Sequence, residues 1–248
     1  MNQDSFVNRK NSITMNSPLS KVVQLNNFGV TCYENRDYQR AVNLFREALK
    51  WISSPAFLVE TVAPESSVVD PFAPILKAKV PCDETCTDVQ SFLRFNQAME
   101  IVDSPKAYSV NPMANEVLLS AMIIWNMAVV YHCTSRGDRN KLTKSYALYI
   151  KSWNLVEYLV YKGSNGNPMM DFFTQALLNN LGCCCQELDL HAEAQMWSDQ
   201  LISYAQSMGL YHADDSSDVS TKLQEQTNHF VLNAIMLLQC RPSYLASA

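Results

Sequence analysis

From Leu25 to Trp51, apolar residues recur at the three-to-four-residue spacing of an amphipathic helix, broken once by Glu34-Asn35-Arg36-Asp37. That pattern predicts two antiparallel helices and a short turn, an αα-hairpin. The texture then changes. Pro55, Pro64, Pro71, Pro74 and Pro81 fall among short valine-rich runs, and prolines at that density stop helices. Residues 54–110 therefore read as an irregular insertion, within which Asp88 to Val102 fits helix and strand equally. Helical spacing returns after Asn111-Pro112, where proline suits a helix start. It predicts one helix to about Cys133 and a second from about Leu142 to Tyr161, with SRGDRN between them. After the breaker GSNGNP, a further hairpin spans Met169 to Glu187 and Leu190 to Met208. A last helix covers Asp218 to Gln239, with Asp214, Asp215, Ser216 and Ser217 as capping candidates. Residues 20–240 form one domain, between a polar leader at 1–19 and a tail at 241–248.

Aligning the hairpins on their asparagines exposes a repeat. The first helices read LNNFGVTCY, IWNMAVVYH and LNNLGCCCQ, from Leu25, Ile124 and Leu178. Apolar residues stand at i, i+3 and i+7 (Leu25, Phe28, Cys32; Ile124, Met127, Tyr131; Leu178, Leu181, Cys185), which is one helix face. A tiny residue follows the second of them each time: Gly29, Ala128 and Gly182. The second helix of the first hairpin answers with Ala41, Phe45 and Ala48, small–large–small spacing that lets two helices pack closely. Tyr149 between Ser145 and Ser152 repeats this in the second hairpin; in the third, Ala194 fits, whereas Ser198 and Leu201 depart from it.

Leu25, Gly29, Ala41, Phe45 and Ala48, with the partial match of Leu178, Leu181, Gly182 and Ala194, resemble the tetratricopeptide repeat family. The LNN(F/L)G form is closest to the kinesin-light-chain type of repeat. The resemblance implies an all-α fold of antiparallel hairpins stacked as a right-handed superhelix. Asn27 and Asn126 are 99 positions apart, and Asn126 and Asn180 are 54 apart, whereas regular tandem repeats would fall near ~34. The array is divergent and carries insertions.

In that family the place held by Asn27, Asn126 and Asn180 faces a concave groove, and an asparagine there commonly grips the backbone of an extended peptide. A carboxamide suits the task, since it offers donors and an acceptor together and can pair with both N–H and C=O of a peptide unit. The same face adds Val30 and Glu34, Val129 and Cys133, and Cys183 and Glu187, with Asn26, Trp125 and Asn179 beside it. A repeated asparagine can also be a structural group bonding the next helix. The groove can thus hold a partner's peptide or helix, or be filled by the chain's own insertion or last helix. Repeats that clamp the C-terminal carboxylate of cytosolic chaperones carry Lys just before this Asn and another Asn three residues after it. Here those places hold Asn26 and Val30, then Asn179 and Cys183, so a chaperone-cofactor role is not expected.

Composition narrows the field further. The 248 residues carry a net charge of −5 and a pI near 5.4, so neither nucleic acid nor an acidic membrane surface is an expected partner. The most apolar stretch, Met113 to Tyr131, is interrupted by Asn115, Glu116 and Asn126 and reads as a buried helix. Eight cysteines, three of them adjacent (Cys183, Cys184, Cys185), suit reduced thiols and a cytoplasmic or nuclear setting. Consecutive helical residues diverge by about 100°, so these three cannot converge on one metal ion. Cys82 and Cys86 lack a following histidine at zinc spacing. His132-Cys133, also adjacent on a helix, makes a poor nucleophile pair, and no GxSxG, phosphate-binding glycine loop or HExxH occurs. The expectation is a non-catalytic protein-interaction module without cofactor or metal, of unspecified oligomeric state. Asn27, Asn126 and Asn180 are its expected grips, with Val30, Trp125 and Val129 as apolar neighbours.

Overall fold

The computed structural model describes residues 18–54, 76–77, 94–101, 112–161, 168–209 and 218–239. They are mostly helical. Seven helices occur among them: α1 (Pro18–Glu34), α2 (Tyr38–Ile52), α3 (Pro112–Cys133), α4 (Arg139–Tyr161), α5 (Pro168–Glu187), α6 (His191–Gly209) and α7 (Asp218–Gln239). Pro18, Pro112 and Pro168 each open a helix, at the position where a missing N–H costs nothing. The predicted helices stand within three residues at each described end, apart from α1, which begins seven residues before the expected Leu25. The proline-rich run, Cys82, Cys86, the Asp214-Asp215 pair and the tail lie outside the described residues.

Each helix packs against the next in sequence; in addition α1 touches α3, and α5 packs on α7. The hairpin turns of α1–α2 and α5–α6 are the same object. In the first, Arg36 takes φ 63°, its N–H bonds Tyr33 O at 2.9 Å, and Asp37 N bonds Cys32 O at 2.8 Å. In the second, Asp189 takes φ 63°, its N–H bonds Gln186 O at 3.2 Å, and Leu190 N bonds Cys185 O at 2.8 Å. Both are Schellman-type helix ends with a non-glycine residue in the left-handed region. The middle hairpin has a longer connection, in which Gly137 supplies the positive φ of 70°.

The core runs through the helix interfaces. Phe45 is fully buried between Ala41 and Ala48, and a Cβ on Gly29 would stand 2.5 Å from its ring; the glycine is what lets α1 and α2 approach so closely. Between α3 and α4 the small positions also carry hydrogen bonds: Ser145 Oγ donates to Ala128 O and Ser152 Oγ to Ala121 O, each at 2.8 Å. Phe28, expected on the core face, is instead 45% exposed with the Arg40 guanidinium 4.8 Å above its ring. Its counterparts Met127 and Leu181 are buried. No helix precedes α1 among the described residues. The window Glu116–Cys133 in α3 is apolar and long enough to cross a membrane by length and composition, and 67% of it is buried inside the protein.

Between α2 and α3 no helix occurs among the described residues. Residues 94–101 run extended, and β2 (Glu100–Ile101) pairs antiparallel with β1 (Leu76–Lys77). The stretch that fitted helix and strand equally is extended where it is described.

Candidate functional site

The extended segment Arg94–Ile101 lies across α5, α3 and α1, and one asparagine from each helix grips its main chain. Asn180 Oδ1 accepts Phe95 N–H at 2.8 Å and its Nδ2 donates to Phe95 O at 2.7 Å. Asn126 does the same to Met99, at 2.7 and 2.9 Å. Asn27 does the same to Ile101, at 2.8 Å twice. Each carboxamide satisfies both polar groups of one residue, so buried backbone that would lack a ladder partner is paired. The segment crosses the helices in the order third hairpin, second, first, antiparallel to the order of the hairpins in the chain.

A second set of groups orients these grips. Asn26 Nδ2 donates to Asn27 Oδ1 at 3.1 Å, and Asn179 Nδ2 donates to Asn180 Oδ1 at 3.2 Å. This turns each carboxamide with its oxygen toward the segment's N–H. In the middle hairpin Trp125 replaces that asparagine, and Asn126 Nδ2 instead donates to Asn26 Oδ1 at 2.9 Å. Asn26 also donates to Met99 O at 3.1 Å and is fully buried. It is a central member of the network that single-position repeat matching passed over; the recurring Asn-Asn pair at 26–27 and 179–180 was the available signal. Tyr149 contributes too, its hydroxyl accepting from Asn180 Nδ2 at 3.1 Å.

Side chains of the segment fill the face. Phe95 packs among Trp125, Phe172 and Phe230, with ring centroids 6.3, 5.4 and 5.7 Å away. Ala98, Met99 and Ile101 are buried as well. Val30, Trp125 and Val129 are fully buried apolar neighbours. Cys183 is buried, while Glu34 is exposed at the end of α1.

Glu187 sits at the other end, with Arg94. The Arg94 Nη1 donates to His132 O at 3.3 Å and stands 4.0 Å from Glu187 Oε1. His132 Nε2 lies 3.0 Å from the same oxygen, and its Nδ1 is 3.3 Å from Tyr149 Oη. Burial alone would raise the Glu187 pKa, but the His132 hydrogen bond and the charges of His132 and Arg94 outweigh it and hold the carboxyl below its ordinary value. Tyr33 donates to Asn96 O and meets Cys133 Sγ at 3.2 Å. His132 and Cys133 thus bond different partners.

Burial pushes the thiols of Cys133, Cys183, Cys184 and Cys185 up, Cys185 to about 11. At neutral pH they are protonated, the opposite of what a thiolate nucleophile or ligand requires. Among the described residues no group of three or more His, Cys, Asp or Glu side chains is placed to hold a metal ion. No family model matches the chain, and neither a curated protein nor a solved structure matches it.

Proposed function

We propose that this protein is a non-catalytic, tetratricopeptide-like interaction scaffold whose concave groove is filled by its own segment Arg94–Ile101. The observation that carries this reading is the ladder of Asn27, Asn126 and Asn180. Three helices from three hairpins each pair both main-chain groups of one residue in a single extended segment. It also favours structural use of the asparagines over an empty peptide receptor, because the occupant is covalently part of the chain. The shared turn geometry of the first and third hairpins supports the repeat reading. In a cytoplasmic or nuclear setting, the protonated buried thiols would stay reduced.

Replacing Asn27, Asn126 and Asn180 together by alanine tests it. Each lost pair leaves buried donors and acceptors unsatisfied. For a chain of this size the melting temperature should fall by roughly 10 °C or more. An almost unchanged melt would remove the self-filled groove and restore the open-receptor reading.

A further inference from the structure

Resting on the self-filled groove, we infer that Arg94–Ile101 is a resident stand-in for an extended segment of a partner protein, and that its own side chains state the pattern the groove selects: an aromatic residue, an unbranched apolar residue four places on and a branched apolar residue six places on, with no charge between the first two.

Three observations carry this. The grip is made to main-chain atoms, and an asparagine that pairs N–H and C=O of Met99 would pair those of any residue there. Selection therefore falls to the pockets. The first is aromatic on several sides, Trp125, Phe172 and Phe230 around Phe95, and the others bury Met99 and Ile101 almost completely. The residues between Phe95 and Met99 are Asn96, Gln97 and Ala98, all uncharged. Third, the segment belongs to none of the helices. In sequence, 41 residues separate α2 from Arg94 and 10 separate Ile101 from α3, and among the described residues its one ladder is the two-residue pairing of β2 with β1. The hold is also graded along its length. Asn126 and Asn180 are fully buried, whereas Asn27 at the Ile101 end is partly exposed. An incoming strand that begins at α1 therefore displaces the β1–β2 pairing there before it proceeds toward the Phe95 pocket.

The test uses the full chain carrying Phe95→Asp, which empties the aromatic pocket while leaving every grip in place, and a labelled peptide of residues 94–101, RFNQAMEI. The expected result is saturable binding, weakened roughly tenfold or more when the peptide's Phe is replaced by Ala, and lost when Asn126→Ala is added to the protein. Helicity unchanged with no binding at millimolar peptide would overturn the inference. Dimers of the chain that the peptide does not dissociate would also overturn it, assigning the groove to a second copy's segment. Should Phe95→Asp fail to fold, amide exchange in the unaltered chain decides. With excess peptide, Ile101 and Met99 amides should lose protection while those of α3 keep theirs; release only together with α3 overturns the proposal. Failure of the underlying reading looks different, because Phe95, Met99 and Ile101 would then be unprotected without any peptide.

Discussion

The first and third hairpins share their turn geometry and their asparagine pair, and differ in what they pack. Offset by 153 positions, they match in the grip (Asn27, Asn180), its orienting neighbour (Asn26, Asn179), the left-handed residue (Arg36, Asp189) and both turn hydrogen bonds. At the tiny residue they part. Gly29 lies under Phe45, with 2.5 Å for an added Cβ, whereas Gly182 faces Ser198, the residue that replaces Phe45, and Leu237 of α7, at 3.5 and 3.3 Å. Where the third hairpin lost its aromatic, the last helix supplies a leucine. The geometry that holds the segment is kept in both, while the packing behind it is solved separately in each.

The largest expected break in this comparison comes from pH. The third hairpin carries three adjacent buried thiols whose pKa values burial raises, while an unfolded thiol titrates near ~8.5. Their stabilising contribution is complete below that value and declines as pH rises through the folded values, by up to ~1.4 kcal/mol per pH unit for each thiol. Urea unfolding followed from pH 8 to about 10.5 should show falling stability, with a shallower fall in the Cys183→Ala, Cys184→Ala, Cys185→Ala triple variant.

Next in size is Asn126→Ala. It orphans Met99 N–H and Asn26 Oδ1 in a fully buried place and should cost roughly 3 kcal/mol by chemical denaturation. Asn27→Ala, at the partly exposed end, should cost visibly less. Then comes Gly29→Ala, which drives a methyl into a buried ring and should cost about 2 kcal/mol. The equivalent Gly182→Ala meets the movable end of Leu237 most closely, with a hydroxyl and the Ala194 carbonyl at ordinary contact distance, and should cost under about 1 kcal/mol; equal costs would erase the distinction drawn between the two hairpins. The smallest effect should be the same in both: Arg36→Gly and Asp189→Gly each relieve a left-handed non-glycine residue and should stabilise by about 0.5–1 kcal/mol.

Helices were legible in the sequence because their causes are local. Spacing, proline at the first turn and the Glu34–Asp37 break all lie within the elements they define. The grips were legible because Asn27, Asn126 and Asn180 recur at one place in three hairpins. Their occupant was not. Main-chain atoms carry no side-chain signature, and the paired residues lie 27 to 85 positions away. Asn26 escaped for a related reason: its role is to join two hairpins across 100 residues, so it has no counterpart in the second. Phe28 follows the repeat pattern of Met127 and Leu181, yet it is exposed, and no helix precedes α1 among the described residues.

The central claim is that three carboxamides hold one segment of the chain by its main chain. Residue-resolved amide hydrogen exchange tests it most directly, comparing the unaltered protein with Asn126→Ala. Phe95, Met99 and Ile101 amides should be protected in the unaltered protein, and Asn126→Ala should expose Met99 while Phe95, held by Asn180, stays protected. Exchange of all three at unfolded-chain rates in the unaltered protein, or a Met99 amide indifferent to Asn126, would contradict it.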